Sequence, residues 1–135
     1  MMSILTEVSV GEFLDKLCIL EIKADRIKEP VKLDHVLQEL SVLQQIWGRS
    51  PYAALDLLVE VQGLRHVNEQ LWEIEDRIRG LESKGEFGSE FIYLARAVYI
   101  TNDRRAAIKR RINTLAGSSL TEEKSYKDYE HNKFR

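Results

Sequence analysis

The chain has 135 residues, of which 44% are hydrophobic and 31% are charged, and its formal net charge is −2. This length and composition fit one globular domain with a core of its own and exclude a disordered chain. A single cysteine, Cys18, excludes an internal disulfide framework and a cysteine-rich zinc site, so the default location is the cytoplasm. We find no targeting signal at the start and no apolar run long enough for a membrane span, so no membrane partner is expected.

The first predicted helix follows a capping box, in which Ser9 precedes Glu12 by three residues. It should run to about Lys28 and stop before Pro30, whose ring disfavours helical geometry in the preceding residue. Apolar side chains occupy nearly every face of this helix. Such a helix belongs in the middle of a bundle or in a subunit interface.

A second helix is predicted over residues 31–47, and the stretch "GRSP" ends it. Ser50 is expected to cap the next helical stretch, and Pro51 suits a first helical position because its φ angle is already helical. This third stretch should reach about Glu82. Gly63 marks a candidate break or kink within it.

The remaining pattern predicts a long antiparallel helical hairpin around the turn "SKGEFGS". Apolar residues recur at spacings of three and four on both sides of this turn, and Gly117 is a plausible terminator. The prediction is therefore an all-α fold, a helical bundle built on this hairpin. Residues 1–117 form a single helical domain, and residues 118–135 form a polar C-terminal tail that is a short helix or loosely ordered.

The stretch "TNDRRAAIKRR" at residues 101–111 contains five basic side chains. Residues 96–111 carry six Lys/Arg against one Asp/Glu, whereas residues 1–95 carry 10 against 17. At about 100° per residue the five charges scatter around the helix, and Arg105 alone falls on the apolar seam. A scattered basic island on an acidic body disfavours nucleic acid as a partner.

Arg105 should have a carboxylate partner, because a guanidinium buried without one is very costly. The hairpin itself places only Val67 and Asn68 opposite it. We take Glu21 of the first helix as the first candidate partner. The alternative partners of Arg105 are Asp15, Asp25 and Glu75.

Two interpretations of Arg105 follow. It forms a structural ion pair that sets how the helices pack, or it binds an anion together with Lys109 and a lysine of the first helix. Glu12, Lys16 and Lys23 lie on one side of that helix, and the spacing of Glu12 and Lys16 is typical of a modest surface pair.

No other motif indicates a reaction. The three histidines are widely separated, the Glu/Asp pairs are weak candidates for magnesium, and no phosphate-binding loop or nucleophile motif is present. Cys18 lies among apolar residues, which favours an inert core position. No metal, cofactor or catalytic residue is assigned, and whether the protein is an enzyme stays open.

Four blocks, "VSVGEFLDKLCILEIKADRI", "VNEQLWEIEDRIR", "YITNDRRAAIKRRIN" and "EEKSY", together resemble a family of small uncharacterised proteins of bacteria and their phages, a domain of unknown function. The resemblance spans nearly the whole chain. Some relatives are associated with sugar transfer, which makes a sugar nucleotide one candidate anion. The resemblance also implies that Gly11 and nine polar residues recur in the family. These nine are the candidate ligand-binding residues: Glu12, Asp15, Lys16, Glu21, Lys23, Asn102, Asp103, Arg105 and Lys109.

The leading hypothesis for function is a non-catalytic helical interaction or scaffold module. A binding protein or enzyme for a small anionic ligand is the alternative, and nucleic-acid binding ranks last. The girth of the first helix and the length of the hairpin favour a homodimer, with another protein as the other candidate partner.

Overall fold

The computed structural model describes residues 3–117 and 128–129. Over these residues it contains four α-helices, a short 3₁₀ turn and no strand, which confirms the all-α prediction. The predicted tail lies outside the described residues except for Asp128 and Tyr129. The elements are α1 (Val10–Arg26), α2 (Pro30–Arg49), the 3₁₀ turn (Pro51–Ala54), α3 (Leu58–Lys84) and α4 (Ser89–Ala116).

Two of the predicted helix boundaries have the expected chemistry. The Ser9 hydroxyl accepts a hydrogen bond of 3.1 Å from the backbone N–H of Glu12, which satisfies a free donor at the start of α1. Gly117 ends α4 in the left-handed conformation, with φ of 65°. Gly85 does the same at the end of α3, where the chain turns back to form the hairpin.

The start of the third helical stretch differs from the prediction. Ser50 makes no side-chain capping bond, and Pro51 opens the 3₁₀ turn instead of a long helix. The helix does not break at Gly63, and the interruption falls at residues 55–57. Gly63 has a packing role, since an added Cβ would lie only 3.3 Å from Ile108 Cδ1 of α4.

Helix α1 occupies the middle of the bundle, as its apolar girth predicts, and packs against α2, α3 and α4. It runs antiparallel to α4, since Gly11 contacts Asn113 and Asp15 approaches Arg105. It runs parallel to α3, since Asp15 contacts Asn68 and Arg26 contacts Glu73. The core that results consists mainly of α1 residues with a few from the other helices: Val10, Leu14, Leu17, Cys18, Leu20, Ile22, Leu40, Leu57, Leu64 and Ile112.

The hairpin extends well beyond α1. Arg26, the last residue of α1, donates a 2.6 Å hydrogen bond to Glu73, so α1 ends beside the middle of α3. We call residues 74–100 the distal hairpin. In this part of the hairpin α3 and α4 pack on each other without α1 between them and the solvent.

Candidate functional site

Five polar side chains, three of them buried, meet where α1 crosses α3 and α4. We call this group the polar cluster: Glu12, Asp15, Asn68, Arg105 and Lys109. Lys109 Nζ lies 2.6 Å from Glu12 Oε2 and 3.8 Å from Asp15 Oδ2. The side chains of Lys109 and Asp15 are only 7% and 6% exposed, so both charges depend on each other for compensation.

Asn68 connects the three helices of the polar cluster. Its Nδ2 donates 2.8 Å to Asp15 Oδ1 and makes a longer 3.6 Å contact with Cys18 Sγ, while its Oδ1 accepts 3.2 Å from Arg105 Nη1. Arg105 Nε approaches Asp15 Oδ2 only to 4.0 Å. The polar cluster therefore pairs two carboxylates with two cations, and its formal charge is balanced.

A close approach of two helices sets the position of the polar cluster. The backbone N–H of Gly11 donates 2.7 Å to Asn113 Oδ1 of α4. An added Cβ on Gly11 would lie 2.5 Å from the backbone oxygen of Lys109, a distance that real Cβ atoms do not adopt. The absence of a side chain at Gly11 thus allows α1 to lie against the α4 backbone.

The structure corrects two predictions about the basic stretch. The carboxylate beside Arg105 is Asp15, one of the alternatives, and not Glu21, which lies farther along α1 near Arg65. Lys109, predicted to lie off the apolar seam, is the deeply buried cation, whereas the Arg105 side chain is 29% exposed. Lys109 becomes interior because α1 covers the side of α4 that the hairpin leaves open.

The other predicted residues are dispersed. Lys16 faces α2 and pairs with Glu39 at 3.3 Å, so the expected Glu12–Lys16 surface pair is wrong. Burial raises the pKa of the Glu21 carboxyl, and the nearby Arg65 counteracts this. Asp103 lines a separate depression on α4 that includes Tyr129. Asn102 is half-buried on α4, and Lys23 lines a groove beside the polar cluster.

This groove, which we call the α1–α3 groove, has a volume of about 390 Å³. Its apolar wall consists of Ile19, Ile22, Leu71 and Trp72. Its charged and polar lining consists of Lys23, Asn68, Glu75, Asp76, Arg79 and Arg105. Asn68 and Arg105 belong to both the polar cluster and the groove, so the groove begins where the cluster ends.

Cys18 has the character of a core residue and not of a nucleophile. Burial raises the pKa of its thiol, and the Asn68 contact only partly opposes this. Among the described residues no three His, Cys, Asp or Glu side chains are grouped to hold a metal ion. None of the described helices combines the length and apolar character needed to cross a membrane.

Two residues of the site had no clear signal in the sequence. Asn68 lies opposite Arg105 in the predicted hairpin and carries no charge, yet its amide is the link between Asp15 and Arg105. Asn113 follows Ile112 of the apolar repeat, and its burial at 4% exposed and its contact with Gly11 become evident only in the structure.

Comparison with known families adds one finding to this geometry. The model of the family of unknown function DUF6165 matches residues 4–131. The chain belongs to this family. No curated protein and no solved structure matches it. The DUF6165 match covers all four helices and every residue of the polar cluster, in agreement with the resemblance noted over nearly the whole chain.

Proposed function

We propose that this DUF6165 protein is a non-catalytic helical interaction module that self-associates through its distal hairpin. The observation that carries the proposal is a change of burial along one seam. Where α1 covers the hairpin, Leu64 and Ile112 are fully buried and Leu71 is 8% exposed. In the distal hairpin Leu94 stays buried at 1% exposed, but the other seam residues are only half-buried although the spacing continues: Ile74, Ile78, Leu81, Phe91 and Val98.

The outer surface of the distal hairpin also carries exposed apolar residues. Tyr93 and Ile92 are 68% and 56% exposed, and Tyr93 lines a wide groove with Ile74, Ala97 and Ile100 that also has charged residues such as Arg77 and Arg96. An isolated pair of helices buries too little surface to hold such a seam alone, whereas two hairpins packed together form a four-helix arrangement. These features support a second copy of the chain as the partner that packs on the distal hairpin.

The apolar residues around α1, by contrast, do not support a dimer. That helix buries its apolar residues against three helices of its own chain. The balanced polar cluster likewise favours a structural role, since its two cations already face carboxylates. The dimer proposal therefore depends on the distal hairpin.

Sedimentation velocity over a range of micromolar concentrations tests the proposal. We expect a concentration-dependent dimer that the double variant Ile92→Glu/Tyr93→Glu converts to monomer, because two carboxylates would be desolvated in the interface. Val59→Glu is the matched control, since Val59 is an apolar residue of α3 that is 72% exposed outside the distal hairpin. A wild-type monomer throughout the range, or equal effects of the two variants, would refute self-association through this surface.

We also propose a bacterial or phage origin and a cytoplasmic setting, from the family resemblance and from the buried free thiol of Cys18. Fractionation of a native host, with detection by antibody, tests the location. Recovery from the periplasm or the medium would contradict it.

A further inference from the structure

The α1–α3 groove offers hydrogen-bond donors that the fold does not use. A guanidinium has five N–H donors, and Arg105 makes one hydrogen bond among the described residues, from Nη1 to Asn68. Its nearest carboxylate oxygen is 4.0 Å away from Nε, which is beyond hydrogen-bond range. Arg105 is thus oriented by Asn68 while most of its donors stay available at the groove.

Lys23 adds a second cation to the same groove. It forms no ion pair or hydrogen bond with the described residues, although the other α1 cations, Lys16 and Arg26, each face a carboxylate. Of the two acidic residues that line the groove, Glu75 pairs with Arg79 at 3.2 Å. Asp76 has no ion pair among the described residues and lies eight residues beyond Asn68, about 12 Å along the helix.

The walls between these charges are apolar. Ile19 and Ile22 of α1 face Leu71 and Trp72 of α3, and Arg26 lies over the Trp72 ring with its guanidinium carbon 5.6 Å from the ring centroid. A free inorganic ion would leave these walls uncovered, and a neutral apolar molecule would leave the Lys23 ammonium and the remaining Arg105 donors unused. The volume of about 390 Å³ suits a small organic molecule.

We propose that the α1–α3 groove binds a small organic anion with an apolar body. The anionic head accepts hydrogen bonds from Arg105 and Lys23, and the body packs on the half-buried side chains of Ile19 and Trp72. Lys109 takes no part, because its ammonium already contacts Glu12 and Asp15. Glu75, Asp76 and Arg79 of the distal hairpin line one end of the groove, but Lys23, Trp72 and Arg105 lie outside the distal hairpin, so the site can be present whether or not the chain self-associates.

A titration of the ¹⁵N-labelled full chain with 4-phenylbutyrate, followed by NMR, tests the proposal. The probe has a carboxylate and an aryl body, and 4-phenylbutyramide is its neutral match. We expect saturable shifts of the Trp72 indole N–H and of the amides of residues 19–23, and affinity about tenfold lower for the amide, the factor expected for loss of one charge-assisted hydrogen bond. Absence of these shifts at millimolar probe, or equal affinity for probe and amide, would overturn the proposal.

Variants of the two cations give an independent check. Arg105→Met and Lys23→Met should each weaken 4-phenylbutyrate binding about tenfold. Lys16→Met is the matched control, because Lys16 lies on α1 outside the groove and pairs with Glu39. Should Arg105→Met fail to fold, Lys23→Met decides alone, since the Lys23 side chain makes no ion pair or hydrogen bond with the described residues. Equal binding by Lys23→Met and Lys16→Met would overturn the assignment.

Discussion

Lys109 Nζ lies 2.6 Å from Glu12 Oε2, and this contact joins the first turn of α1 to a point near the end of α4. Ninety-seven positions separate the two residues in the sequence. The Lys109 side chain is only 7% exposed and Asp15 is equally buried beside it, whereas the Glu12 side chain is 49% exposed, so the ammonium lies in the interior and the Glu12 carboxylate at its edge.

Lys109→Met should lower the free energy of unfolding by about 3–5 kcal/mol, because it leaves the buried Asp15 carboxylate without its ammonium. Urea denaturation at neutral pH measures the change. The matched control is Lys16→Met, whose Glu39 pair is more than half exposed and should contribute less than about 1 kcal/mol. Equal effects of the two substitutions would mean that the polar cluster does not stabilise the bundle electrostatically.

Gly11→Ala should destabilise the protein by about 1–3 kcal/mol, because the added Cβ would force α1 away from the backbone oxygen of Lys109. Gly80→Ala is the control, since Gly80 lies inside α3 with nothing within 4 Å of an added Cβ. This second change should stabilise by up to about 1 kcal/mol through helix propensity. Thermal unfolding of the two variants measures both changes. If their melting temperatures shifted in the same direction, the close approach of α1 to the α4 backbone would not explain the effect at Gly11.

Helix periodicity accounts for most of the fold. The spacing of three and four identified the residues that become buried in the hairpin, among them Leu64, Leu71, Leu94 and Ile112. Local chemistry at Ser9 and Gly117 located two helix ends. These features depend on residues near each other in the chain, which is why the sequence alone predicts them.

The axial position of α1 on the hairpin has no such local signal. Periodicity states which face of a helix is buried but not how far the helix slides along its neighbours. Glu21 and Asp15 are six residues apart, about 9 Å along α1, and the contact of Gly11 with the α4 backbone selects Asp15. The partner of Arg105 therefore depended on a close approach that a helical wheel does not contain.

Glu21→Gln should stabilise the protein at neutral pH and leave it unchanged in acid. Burial raises the pKa of Glu21 above its ordinary value of 4.5 in the folded state. The folded state therefore binds the proton more tightly, so the contribution of Glu21 to stability is full below pH 4.5 and is lost as the pH rises through the raised pKa. Arg65 keeps its hydrogen bonds to Asp25 and Glu69 in the variant.

Free energies of unfolding of wild type and Glu21→Gln across the acid to neutral range check this prediction. The difference in free energy of unfolding between variant and wild type should increase as the pH rises above 4.5. Glu86→Gln serves as the control, because Glu86 is exposed in the hairpin turn. A difference that widens towards acid would have the wrong sign and would contradict a burial-raised pKa.

Cys18 should react slowly with a disulfide reagent such as Ellman's reagent while the chain is folded. Cys18 is 4% exposed, so the reagent has little access to the thiol. Burial also raises the pKa of the thiol above the ordinary value of 9.0, so little thiolate is present at neutral pH. The same single cysteine in urea-unfolded protein is the internal control and should react at the rate of a free thiol. A native rate that matched the unfolded rate at neutral pH would make Cys18 an accessible nucleophile, and the proposal of a non-catalytic module would then lose one of its supports.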